Sequence, residues 1–112
     1  ADALGRLAGL NHTGFQRQTL IGGAYGLLNR TNYKPNPDYY IGKLFHDLVG
    51  DRMLSVDISN NMDGYLRSYG YCSRRNKGNI GLIIININQT NGFNIQFDVG
   101  NGNNITSMNV YE

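Results

Sequence analysis

The sequence predicts an α+β fold, on two main observations. Apolar residues recur at helical spacing before Gly50 and at alternate positions after it. The alternating runs are separated by NNMDG, RRNKGN, QTNG and GNGN, which carry the Asn, Asp and Gly that tight turns use. The break near Gly50 divides the chain into residues 1–50, mixed helix and extended, and residues 51–112, read as all β.

Each element has its own local signal. Leu4, Leu7, Ala8 and Leu10 fall on one face of a helix over residues 2–10, with no capping residue before it. GFQRQTLI (14–21) reads as a short strand. It runs into Gly22-Gly23-Ala24-Tyr25-Gly26, and then into NYKPNPDYY, where Pro35 and Pro37 hold the residues before them extended. Pro37 and Asp38 suit a first helical turn, with Asn36 as a candidate cap. Tyr40, Ile41, Leu44, Phe45, Leu48 and Val49 continue at helical spacing, and Gly50 stands where a C-terminal cap is expected. That stripe needs a sizeable surface to bury against. After it, RMLSVDIS (52–59), GYLRSYGYCS (64–73), IGLIIININ (80–88), FNIQFDV (93–99) and ITSMNVY (105–111) read as strands, with a hairpin at Gln89 to Gly92. Regular strands at this spacing suggest an antiparallel sandwich or part of one.

Composition narrows the function classes. The chain is 40% hydrophobic and 16% charged, which favours a packed core over disorder. A net charge of +2 is too small to argue for nucleic acid or an anionic membrane. No stretch approaches the roughly 20 apolar residues of a spanning helix, and the opening ADALGRLAGL has no cleavage pattern of a leader. Cys72 is the single cysteine; a small buried hydrophobe is the expected role. With 16 Asn and 10 Ser or Thr, chance placement would give about 1.4 N-glycosylation sequons. Four occur, at Asn11, Asn29, Asn88 and Asn104, which points to passage through a secretory pathway.

Most catalytic patterns fail on inspection. The glycine stretch lacks the Lys of a P-loop and opens no helix, so neither phosphate motif fits. His12 and His46 show no ligand spacing with Cys72, so no metal site is expected, and nothing supports a Cys–His nucleophile. Glycosidic hydrolysis needs two facing carboxylates. The one Glu is Glu112, and Asp2, Asp38, Asp47, Asp51, Asp57, Asp63 and Asp98 form no evident pair. SRRNKGN reads as a solvated turn, with contact to a polyanionic glycan as the sharper option. Tyr65, Tyr69 and Tyr71 share one strand face, which suits packing first and a sugar-binding platform second. For the glycine stretch two options stay open: a plain turn, or a place where backbone presses against a substrate.

RQTLIGGAYGLLN, NPDYYIGKLFHDLVGDRMLSVDIS and YLRSYGYCSRRNKGNIGLIIININQT together resemble the plant heparanase-like endo-β-glucuronidases of glycoside hydrolase family 79. The resemblance implies a C-terminal portion of a longer, secreted or lysosomal/vacuolar retaining enzyme. Residues 1–50 would end a (β/α)8 barrel, with 15–21 its last strand and 37–50 its last helix; residues 51–112 would belong to a β-sandwich. Gly23, Ala24 and Tyr25 would line the substrate cleft, with Ala24 standing where animal relatives carry Asn. Both catalytic glutamates would lie outside this chain, and no cofactor is implied. The expected partners are a glucuronide-containing carbohydrate or glycoside and the remainder of the glycosidase chain. A non-catalytic carbohydrate-binding β module, or a processed fragment, is the alternative.

Overall fold

A computed structural model describes residues 1–60, 64–100 and 103–110. It is α+β: helices α1 (Asp2–Gly9) and α2 (Pro37–Leu48) accompany strands β1 (Val49–Leu54), β2 (Leu66–Ser73) and β3 (Ile80–Asn86). The strands form one antiparallel sheet in the order β1-β2-β3. Pairing of β2 with β3 is regular, from Leu66 opposite Asn86 to Cys72 opposite Ile80. Pairing of β1 with β2 shifts register between Val49 and Met53. Among the described residues no helix is long and apolar enough to cross a membrane.

Helix α2 starts at Pro37, whose missing N–H costs nothing there. Its expected C-terminal cap, Gly50, is a correction. The helix ends at Leu48, Val49 is already extended, and Gly50 lies inside β1. A Cβ at Gly50 would sit 2.5 Å from the Cys72 carbonyl oxygen, so glycine serves strand packing rather than helix termination.

Among the described residues three expected strands do not form. Residues 14–21 join no sheet; the backbone bridges nearby are Ile21 with Leu28 and Leu28 with Pro35. Residues 93–99 and 105–110 are also unpaired, and position 111 lies outside the described residues, as do 61–63 and 101–102 of the turn stretches. Alternation makes a segment fit for pairing, but a strand also needs a neighbour with a free edge. The hairpin at Gln89 to Gly92 therefore does not close. Instead the Asn88 Oδ1 accepts from the Thr90 and Asn91 N–H groups, at 2.9 Å each, and Asn86 Nδ2 donates to the Asn91 carbonyl at 2.9 Å.

Helices and sheet meet at two tyrosines. Tyr71 is 3% exposed, and its ring meets Phe45 of α2 edge-on, with centroids 6.0 Å apart. Tyr69 lies against buried Gly5 of α1, where a Cβ would overlap the ring, and its hydroxyl donates to Asp2 Oδ1 at 2.6 Å. Packing, not sugar binding, is thus the role of these two; Tyr65 remains exposed. Cys72 is a free, half-buried thiol. The basic turn is anchored as well: Arg75 and Lys43 share Asp47, at 3.3 and 2.7 Å, and Arg74 Nε donates to the Val49 carbonyl at 3.1 Å. The Lys43 hydrogen bond, above all, holds the Asp47 carboxyl below the usual carboxylate range.

Little else is covered. No residue of α2 is buried, and Tyr40 and Leu44 are among its exposed apolar side chains. Accessible surface totals 9383 Å², whereas a compact chain of 12.5 kDa exposes roughly 6,200 Å² by size scaling. A cleft of about 590 Å³ opens between α1, α2 and β1, lined by Leu7, Phe15, Phe45, Val49 and Met53 among others.

The glycine stretch is the turn of a small braid. Leu27 and Leu28 N–H donate to the Thr19 and Leu20 carbonyls at 3.0 and 2.9 Å, and Asn36 N–H donates to the Leu27 carbonyl at 2.9 Å. Gly26 is buried where these segments cross; a Cβ there would lie 3.1 Å from both the Gly22 and Leu28 carbonyl oxygens. Gly23 has φ +68, and a Cβ there would meet only the Tyr25 ring, at 3.2 Å.

Two predictions follow from this packing. Gly26→Ala meets backbone on two sides and should cost about 1–3 kcal/mol, whereas Gly23→Ala, opposed by a movable ring, should cost about 1 kcal/mol for its left-handed φ; thermal unfolding of the two variants gives the order. Burial, then the Asp2 hydrogen bond, push Tyr69 up to about 12 from 10.0. The folded pKa exceeds the unfolded one, so this stabilisation is complete below pH 10 and lost as pH rises towards 12. Stability should fall over that window in the parent chain, and Tyr69→Phe should flatten the fall in an alkaline denaturation series.

Candidate functional site

The loop over residues 22–26 is where the sequence-derived site residues come together. Gly22 and Gly23 take φ +116 and +68, a reversal that L side chains rarely adopt. Gly23, Ala24 and Tyr25 are all exposed, and the Tyr25 ring, 57% exposed, projects beside Gly23. Tyrosine offers an apolar face and one hydroxyl, which suits stacking against a sugar while hydrogen bonding to it.

Two of the loop's carbonyls, those of Tyr25 and Gly26, are tied by side chains. Arg17 Nη2 donates to the Tyr25 carbonyl at 2.8 Å and lies 2.7 Å from Asp38 Oδ2 in the first turn of α2. Asn36 Nδ2 donates to the Gly26 carbonyl at 2.7 Å. Asn36 occupies the N-cap position expected of it, but its side chain makes no cap bond; it serves the loop instead. Among the described residues, the N–H groups of Gly23, Ala24, Tyr25 and Gly26 donate to no protein acceptor. Successive free N–H groups in such a turn favour an anion. Glycine at the exposed position 23 leaves the backbone open to close approach, whereas Gly26 is enclosed by the braid.

Sequence reasoning singled out the glycines and Tyr25 but missed the residues that hold them. Arg17 was visible only as the head of a quoted block, and Asp38 only as a helix-terminus acid. Pairing them takes the fold, since 21 positions separate them.

Four of the described acids are each engaged by a different partner. Asp2 faces Tyr69, Asp38 faces Arg17, Asp47 faces Lys43 and Arg75, and Asp98 accepts from the Gly100 N–H. Asp63 and Glu112 lie outside the described residues. Among the described residues no three His, Cys, Asp or Glu side chains gather as metal ligands. The four sequons lie in separate stretches of the chain, with Asn29 in the braid next to the loop. Asn11 follows α1 with φ +59, Asn29 and Asn88 open turns through their own Oδ1 atoms, and Asn104 is exposed near the end of the chain. Of the four, only Asn88 is half-buried.

No protein-family model matches the chain. Individual relatives do. Heparanase-like protein 1 of Arabidopsis thaliana is 42% identical over 106 residues, 93% of this chain and 18% of its own length. Baicalin-beta-D-glucuronidase of Scutellaria baicalensis is 38% identical over 87% of this chain and 18% of its own length. Mouse heparanase is 33% identical over 77% of this chain and 17% of its own length. The chain thus spans less than a fifth of the curated relatives it matches. At 40–42% identity over most of its residues, the chain is heparanase-like, related to the plant proteins of that name.

Proposed function

We propose that this chain is the C-terminal portion of a retaining endo-β-glucuronidase, in which the 22–26 loop positions the uronic acid of the substrate. Residues 1–50 would close a (β/α)8 barrel and residues 51–112 would contribute to a β-sandwich. The catalytic glutamates would come from the rest of the enzyme. One observation carries the reading: among the described residues Gly23, Ala24, Tyr25 and Gly26 keep their N–H groups free while the Tyr25 and Gly26 carbonyls are held by Arg17 and Asn36. A glucuronide differs from a glucoside by one carboxylate, and free backbone N–H groups are donors suited to it. Relatives named heparanase-like and beta-D-glucuronidase support the substrate class.

The uncovered surface supports the larger assembly. The excess over a compact chain is some 3,000 Å², the scale of an obligate interface. The apolar face of α2 and the cleft beneath α1 are the places where the remaining polypeptide would pack. Four sequons support a secreted or lysosomal/vacuolar protein, with glycans at Asn11, Asn29, Asn88 and Asn104.

In the mechanism this implies, two carboxylates about 5 Å apart act as acid/base and nucleophile. The present residues would bind and orient: the loop N–H groups on the sugar carboxylate, and Tyr25 against the ring face. The test uses the full-length protein containing this chain. It should hydrolyse an aryl β-D-glucuronide far faster than the matching β-D-glucoside, and Tyr25→Ala should raise KM for the glucuronide on the order of tenfold. The 112-residue chain alone should hydrolyse neither. Hydrolysis by the chain alone, or full-length protein indifferent to the carboxylate, would overturn the reading.

A further inference from the structure

We propose that Arg17 is a positioning residue for the substrate loop, acting through the Tyr25 carbonyl and Asp38. The inference rests on the loop reading above. A single guanidinium nitrogen, Nη2, carries both contacts: 2.8 Å to the Tyr25 carbonyl and 2.7 Å to Asp38 Oδ2. That nitrogen has two hydrogens, one for each acceptor. The consequence is geometric. A peptide group is planar, so fixing the Tyr25 carbonyl fixes the Gly26 N–H on its opposite side. Among the described residues Arg17 is the recorded hydrogen-bond partner of Tyr25. Without it, the tip from Gly23 to Tyr25 hangs between the two positive-φ glycines and the Gly26 carbonyl that Asn36 holds.

Asp38 supplies the reference point. It sits in the first turn of α2, so the guanidinium transmits the position of that helix to the loop. Arg17 and Asp38 are 38% and 48% exposed, so the ion pair by itself adds little stability. Its value lies in orientation. Lysine would keep the charge, but its stem is one bond shorter and its ammonium has no planar orientation, so it falls short of the point where Nη2 meets both acceptors.

The test again uses the full-length protein, with Arg17→Met, Arg17→Lys and Asp38→Asn. Amide exchange at Leu27 and Leu28, bonded to Thr19 and Leu20, reports the loop. Arg17→Met should speed that exchange on the order of tenfold while β2 exchanges as in the parent. Its KM for the aryl glucuronide should rise on the order of tenfold, with kcat changed less and KM for the aryl glucoside unchanged. Arg17→Lys should recover little. Asp38→Asn, which keeps an acceptor, should fall between, and it decides the matter if Arg17→Met does not fold. Unchanged exchange at Leu27 and Leu28 in both Arg17→Met and Asp38→Asn would overturn the proposal. So would faster exchange throughout the chain, or equal KM changes for both substrates. If the parent protein proves indifferent to the carboxylate, the substrate reading falls, and the exchange arm still decides whether Arg17 holds the loop.

Discussion

Tyr71 is the point on which helix and sheet depend. Among the described residues it is the one large side chain that is buried, and Phe45 of α2 reaches the sheet by meeting its ring. Two residues along β2, Tyr69 does the same for α1 through Asp2 and Gly5. The two tyrosines lie on the same face because side chains alternate along a strand. Burial has a cost at Tyr71, whose hydroxyl is enclosed with no hydrogen-bond partner. So small a core is a weak basis for a chain this size. The exposed stripe of α2 and the open cleft are where the remaining polypeptide of the proposed enzyme would pack.

The braid around Gly26 obeys a different logic. Its stability comes from backbone pairing and from two side chains, Arg17 and Asn36, that reach in from the sequence on either side. Both donate to loop carbonyls. The loop is thereby fixed from its acceptor side and keeps its donors unspent. Among the described residues the Gly22, Gly23 and Ala24 carbonyls accept no hydrogen bond either; what sets this turn apart is that its Tyr25 and Gly26 carbonyls are held while successive N–H groups stay available to a ligand carrying negative charge.

The sequence made both helices, β2, β3 and the glycine turn legible, because each is written in local pattern: helical spacing, alternation, and glycine where φ is positive; β1 was expected over 52–59 but runs Val49–Leu54, directly off the end of α2. It overextended where pattern was present without a partner. Phe93, Ile95, Phe97 and Val99 alternate as a strand should, yet all four are exposed and unpaired. Gly50 failed in the opposite way. Its position suggested a cap, but the constraint on it comes from the Cys72 carbonyl across the sheet, which no local pattern reveals. The site divides along the same line. Gly23 and Tyr25 could be picked out from the chain itself; Arg17, Asn36 and Asp38 acquire their roles only when residues distant in sequence are brought together.

The way this loop would hold a uronate also bears on the chemistry proposed for the parent enzyme. A general-acid carboxyl must keep its proton near neutral pH, which calls for a raised pKa. A bare arginine gripping the sugar carboxylate nearby would lower that pKa. Backbone N–H groups offer partial charges only, so they can orient an anion with less disturbance of the acid. The one full positive charge touching this loop, on Arg17, is matched by Asp38 at 2.7 Å. On the proposed reading the pair would orient the loop while adding almost no net charge, an arrangement suited to a cleft that would hold one anionic substrate beside two working carboxylates.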